Sequence, residues 1–166
     1  MITLVNYTCA FLEYNENILL LERAANRKFN PNIWSGVGGK IEATEINDPY
    51  SACLREINEE TGIHASEIQN LALRYILLRR QENVIRVSYI YFGSSETEQF
   101  FDTDEGTLHW IPKDTLRSKK FTSTYKEMLK HYFSAASDDT NIFVGTAENA
   151  NGKLSMCWSK IQDFEE

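Results

Sequence analysis

Residues 55–62 read REINEETG. Glu56, Glu59 and Glu60 fall within five positions, and no Lys stands among them. On a helix, positions three and four apart share a face, so the three carboxylates would lie within an arc of about 100°. Like charges at that spacing cost a helix roughly a few tenths of a kcal/mol per pair. Bulk water offsets such a cost on a solvated face, and a bound cation offsets it at a site. A second group stands just upstream, where GGKIEATE (38–45) supplies Gly38, Gly39, Lys40, Glu42 and Glu45. Glycine lets a backbone approach an ion or a phosphate closely, because no Cβ intervenes. Carboxylates and backbone carbonyls are the hard oxygen ligands that Mg²⁺ prefers. Lys40 and Arg55 suit phosphate oxygens, or hold carboxylates in place.

Local structure has to position these groups. Asp48-Pro49 announces a helix, with Asp as N-cap and Pro at the first helical position. The helix should run to about Thr61, where Gly62 supplies a left-handed stop. Tyr50, Cys53, Leu54 and Ile57 fall on one side of it and the glutamates mostly on another, an amphipathic arrangement. Upstream, 4–14 and 17–23 read as strands joined at Asn15-Glu16, and 24–32 as a loop. WSGVGGKIE (34–42) reads as a strand entering tight turns. Downstream, 71–81 and 83–95 read as long strands, 96–106 as an acidic loop, and 107–112 as a short strand closed by Pro112. Residues 122–136 read as a helix with Tyr125, Met128, Leu129 and Tyr132 at core spacing. Segments 141–147 and 153–161 read as a hairpin around Asn149 to Gly152. Strands and helices mix without a regular βαβ alternation, which implies an α/β sandwich on a mixed sheet.

Composition bounds the partners. A chain of 166 residues suits one domain, 1–166, able to bury its own core. With 42% hydrophobic and 25% charged residues it is globular rather than disordered. A net charge of −7 argues against a nucleic-acid polymer as partner, since that needs Lys and Arg to displace counterions. It leaves room for a small phosphorylated substrate screened by metal ions. Cys9, Cys53 and Cys157 are far apart, so neither a disulfide framework nor a zinc site is expected. His64, His109 and His131 are isolated and read as surface or boundary residues. The start, MITLVNYTCAFLEY, lacks the pattern of a signal peptide. No stretch approaches the roughly 18 apolar residues of a membrane span. The expected setting is cytoplasmic and reduced, with no membrane association.

Residues 39–63 resemble the Nudix box of the Nudix hydrolase superfamily. Gly39, Glu45 and REINEETGI fill every typed position of that pattern. The spacer departs from it: nine residues, Ile46 to Leu54, separate Glu45 from Arg55, two more than the pattern has. An insertion around Ile46-Asn47 accounts for this and leaves the helical register of the glutamates intact, but it is expected to displace Glu45, whose role would pass to Glu42 or be lost. Thr44 also replaces the Gly often found before that Glu. An acidic helix face alone needs nothing beyond solvent; the full pattern is what raises it above that. The flanking segments LLLERAANRKFNPNIWSGVGGKIE, EGTLHWIP and FTSTYKEMLKHYF, and the terminal hairpin, resemble the MutT-type, 8-oxo-dGTP diphosphatase-like branch.

The resemblance implies a Nudix-type α/β/α sandwich around a mixed β-sheet. It implies that Glu56, Glu60 and the Gly38 carbonyl hold Mg²⁺, with Mn²⁺ as a substitute, and that Glu59 is a further ligand or the base that activates water. Arg55 would orient the carboxylates. Arg23, Lys40 and Gly39 would meet substrate phosphate, and Glu105, or next Asp104, would add a later ligand or base. The implied reaction is Mg²⁺-dependent hydrolysis of a purine nucleoside triphosphate, oxidised or not, to monophosphate and pyrophosphate. Hydrolysis of ADP-ribose, dinucleoside polyphosphates or nucleotide sugars stays open, as does a nucleotide-sensing module without catalysis. Trp34 and Ser35 are the first candidates for base contacts, with Phe29, Tyr75, Tyr89 and Phe121 as further stacking residues. The partner is then a small nucleotide, and the chain a monomer or homodimer.

Overall fold

The computed structural model describes residues 1–25, 32–101, 103–134, 139–150 and 153–163. Its strands are β1 (Thr3–Tyr14), β2 (Asn17–Arg23), β3 (Trp34–Ser35), β4 (Ile68–Gln81), β5 (Val84–Ser95), β6 (Gly106–Pro112), β7 (Ile142–Ala150) and β8 (Lys153–Ile161). The helices are α1 (Pro49–Thr61) and α2 (Ser123–Ser134). The strands form one mixed sheet in the order β3-β2-β1-β5-β4-β7-β8, with β6 paired to β2. β1 runs parallel to β5 and β4 parallel to β7, while the remaining pairs are antiparallel.

Strand alternation sorts the core onto two faces. Cys9 and Phe11 of β1, Ile18 and Leu20 of β2, and Ile90 and Phe92 of β5 pack with Met128 and Leu129 of α2. Their neighbours Ala10, Leu12, Leu19, Leu21 and Tyr91 pack with Cys53 and Ile57 of α1. A strand covered on both faces reads as a continuous apolar run, which is why CAFL and ILLL show no polar alternation. The expected α/β/α sandwich around a mixed sheet is therefore the observed architecture.

The helix that carries the carboxylates is fixed at both ends. The Asp48 side chain accepts hydrogen bonds from Ser51 N (3.0 Å) and Ser51 Oγ (2.6 Å), and Pro49 opens α1. Gly62 closes it in the left-handed region, at φ 77°, donating its N–H to Asn58 O.

Other segments differ from the sequence reading. Residues 34–42 form a strand only at Trp34–Ser35, followed by single bridges from Val37 to Ala10 and from Lys40 to Tyr7. The glycines bend this segment while keeping it against β1. β4 begins at Ile68, earlier than its apolar run suggests, and Lys113–Ser118 forms an unexpected 3-10 turn. Tyr50, expected on the apolar side of α1, is exposed and meets Tyr91 edge-on. Glu60, expected on the acidic face, is buried, because it stands one turn beyond buried Ile57. The tip of the expected terminal hairpin, 151–152, and residues 135–136 of the expected helix lie outside the described residues. Among the described residues, no helix is long and apolar enough to cross a membrane.

Candidate active site

The Gly-rich segment and α1 meet beside β1. Thr8 N donates to Gly39 O at 2.9 Å, and Ala10 and Val37 exchange both backbone bonds. Gly38 adopts φ 148°, and a Cβ there would collide with the backbone of Thr8 and Cys9, so only glycine fits. Its N–H donates to Glu60 Oε2 at 2.7 Å. A Cβ on Gly39 would occupy the space of the Glu56 carboxylate. The two glycines thus let the chain lie directly against the two carboxylates. Among the described residues the Gly38 carbonyl accepts no hydrogen bond, so it remains available as a ligand.

Arg55 sits at the centre of the acidic face. Its Nε and Nη2 donate to the two oxygens of Glu45, at 2.8 and 2.9 Å. Its Nη1 donates to Glu56 Oε1 and to Glu59 Oε2, both at 2.9 Å. One guanidinium therefore binds three carboxylates. The expected displacement of Glu45 is corrected here. A 3-10 turn, Ala43–Glu45, and the exposed Ile46 and Asn47 absorb the two extra residues and return Glu45 to the helix.

The carboxylates differ in their electrostatics. Burial pushes the Glu60 carboxyl up to about 7; the Gly38 N–H and Arg23 oppose this, while the negative charges of Glu56 and Glu105 add to it. Burial also raises Glu56, partly countered by Arg55. The Arg55 hydrogen bonds hold Glu45 down at about 2. Glu60 is buried and Glu56 half-buried, and both are raised despite Arg23 and Arg55; a hard divalent cation would supply further counter-charge. Glu56, Glu60 and the Gly38 carbonyl are oxygen donors of the kind Mg²⁺ takes, so the residues fit that ion. Among the described residues, no group of three or more His, Cys, Asp or Glu side chains already converges as a ligand set.

The other sequence candidates divide into two groups. Arg23 and Glu105 are brought within electrostatic reach of Glu60. The Arg23 Nε is buried without a hydrogen-bond partner. Lys40 is exposed at the end of the Gly-rich segment. Trp34 is buried in the α2-side cluster, with the Lys119 ammonium 4.2 Å from its ring centroid. Ser35 is half-buried and pairs with Leu21. Tyr75 is buried, its hydroxyl 2.8 Å from His131 Nδ1. Tyr89 packs against the α1-side cluster and Phe121 against the α2-side one. Phe29 lies outside the described residues. The sequence did not reveal that Cys9 and Tyr125 come together, with Cys9 within electrostatic reach of Glu60. Only the strand alternation of β1 and the helical spacing of α2 hint at that meeting.

The NUDIX domain family profile matches residues 5–132. The chain belongs to the Nudix hydrolase family. It is 32% identical over 95 residues to a Bacillus subtilis (strain 168) protein named "Putative 8-oxo-dGTP diphosphatase YtkD", a match covering 54% of this chain and 57% of that one. The chain thus spans little more than half the length of that relative. Its fold is similar to that of a MutT protein from Bacillus halodurans, with TM-score 0.71 and 22% identity over 93% of this chain and 97% of that one. It is likewise similar to a MutT protein from Methanosarcina mazei Go1, with TM-score 0.68 and 16% identity over 80% and 95% of the two chains.

Proposed function

We propose that the protein hydrolyses a purine nucleoside triphosphate to the monophosphate and pyrophosphate, with Mg²⁺ as cofactor. The observation that carries this reading is the pair of carboxylates, half-buried Glu56 and buried Glu60, pressed against Gly38 and Gly39 with Arg23 alongside. The name of the Bacillus subtilis relative favours an oxidised purine.

Glu56, Glu60 and the Gly38 carbonyl would hold the metal, which when bound neutralises the phosphate oxygens and polarises phosphorus. Arg23 and Lys40 meet phosphate oxygens through charge-assisted hydrogen bonds. Arg55 keeps Glu45, Glu56 and Glu59 in a fixed constellation. Glu59 is exposed and held by Arg55 through one oxygen, which leaves the other to take the proton of the attacking water. Glu105 contributes further negative charge beside Glu60. The water oxygen bonds to phosphorus, the P–O anhydride bond breaks, and pyrophosphate departs.

A phosphate-release assay over a nucleotide panel, with and without inorganic pyrophosphatase and Mg²⁺, tests this. Orthophosphate that appears from a nucleoside triphosphate only when pyrophosphatase and Mg²⁺ are both present supports the reading. Turnover of ADP-ribose alone, or of nothing, overturns it.

A further inference from the structure

The register of β4 on β5 sets Arg79 directly opposite Arg86. Like charges facing each other across two strands destabilise a sheet. In a chain with 24 acidic and 17 basic residues, carboxylates were available to pair with them. Yet among the described residues neither arginine makes an ion pair, and Arg86 donates only to Gln81 Oε1, at 3.1 Å. The fold gains nothing evident from this arrangement.

Strand alternation places the pair. Tyr75 and Leu77 of β4 belong to the α2-side cluster, as does Ile90 of β5, so Arg79 and Arg86 point to that same face. Along β1 the residues on this face are Cys9, then Tyr7, then Val5. Tyr7 pairs with Ser88 and bridges to Lys40, while Val5 pairs with Arg86. Lys40 and Arg79 are exposed, and Tyr7, Ser88 and Arg86 are half-buried. The result is a basic shelf with an aromatic ring, continuous with the Gly-rich segment. Cys9, at its inner end, lies within electrostatic reach of Glu60. From Cys9 to Val5 is about 13 Å along the strand, and an arginine side chain released from Gln81 is long enough to span part of it. A nucleoside bearing phosphate at both ends covers the remainder.

We propose that Arg79 and Arg86 form a second anion seat, which takes a phosphate carried by the nucleotide on the side away from the scissile anhydride. The proposal rests on the nucleotide reading given above. Two guanidiniums on neighbouring strands can close on one phosphate, and that ligand supplies the negative charge their facing positions lack.

Calorimetric titration in Mg²⁺, comparing a purine nucleoside 3′,5′-bisphosphate with the 5′-monophosphate of the same base, tests the seat. The bisphosphate should bind at least about tenfold more tightly. In the Arg79→Gln/Arg86→Gln variant the ratio of the two dissociation constants should fall toward one. The melting temperature of that variant should equal or exceed that of the parent, since facing positive charges are removed. Should the double variant fail to fold, Arg79→Gln alone, at an exposed position, should reduce the ratio. Equal affinities in the parent protein, no binding of either compound, or a preference that survives in the variants would overturn the seat. Triphosphate hydrolysis by the same preparations separates the two readings. Hydrolysis with equal affinities removes the seat alone, and a bisphosphate preference without hydrolysis removes the proposed reaction alone.

Discussion

Arg55 grips Glu45 through both arms of its guanidinium, Nε to Oε1 at 2.8 Å and Nη2 to Oε2 at 2.9 Å. The contact closes over the two extra residues of the spacer and leaves Nη1 to span Glu56 and Glu59. Glu45 thereby sets the position of the arginine that positions the other two carboxylates. Glu45→Gln keeps the shape and removes the charge, so Arg55 should swing toward Glu56 and Glu59. Loss of an outer partner of this kind lowers activity by about 10- to 100-fold. Steady-state kinetics should place Glu45→Gln between the parent and Glu60→Gln, which removes a proposed metal ligand. If Glu45→Gln is the more damaging of the two, Glu45 itself occupies the metal site.

Glu60 gives the metal-free protein an unusual pH dependence. Its carboxyl titrates near 7 in the fold, against an ordinary value of 4.5. Below 4.5 both folded and unfolded chains hold the proton, and the fold carries no penalty. Between 4.5 and about 7 only the unfolded chain releases it, so stability falls as pH rises, by up to about 3 kcal/mol. Glu45 acts with the opposite sign, since its value is lowered to about 2. Its contribution is present above 4.5 and is lost as pH falls through about 2. Thermal melts in chelator should therefore show a decline from pH 4.5 to 7 that Glu60→Gln reduces, the raised Glu56 adding to it with the same sign. Mg²⁺ should raise the melting temperature more at pH 8 than at pH 5. An unchanged slope in the variant would show that Glu60 is not the group responsible.

Gly39 separates site geometry from backbone strain. Its φ is not in the left-handed region, yet a Cβ there would overlap the Glu56 carboxylate. Gly39→Ala should fold, push Glu56 aside and lower kcat/KM by at least about tenfold, as expected when a ligand is misplaced. Activity equal to the parent would mean that Glu56 works from another rotamer.

Much of this was legible in advance for identifiable reasons. The start and stop of α1 follow from Asp48, Pro49 and Gly62, whose side-chain and backbone chemistry acts locally. The two-faced core follows from apolar runs too continuous for a half-exposed sheet. The burial of Glu60 and the return of Glu45 to Arg55 were not legible, because both depend on where the chain places residues 38–45 against β1 and α1. The same is true of the facing arginines, since the register between β4 and β5 is a property of the pair and neither sequence declares it.

Arg23 tests the phosphate end. Its Nε is buried and unpaired, a cost to the fold that a phosphate oxygen would remove. Arg23→Met should keep or raise the melting temperature while lowering kcat/KM by about 10- to 100-fold, in line with the loss of a charge-assisted contact. A large loss of stability with little change in kinetics would make Arg23 a structural residue.

The central claim is that Glu56 and Glu60 serve a divalent cation in cleaving a nucleoside triphosphate between its phosphates. Phosphorus-31 NMR of the reaction on dGTP and on 8-oxo-dGTP, in Mg²⁺ and again in EDTA, tests it most directly. Resonances of the monophosphate and pyrophosphate should grow in equal amounts with Mg²⁺, stop in EDTA, and stay absent for Glu60→Gln. Diphosphate with orthophosphate as products, or undiminished turnover in EDTA, would contradict the account.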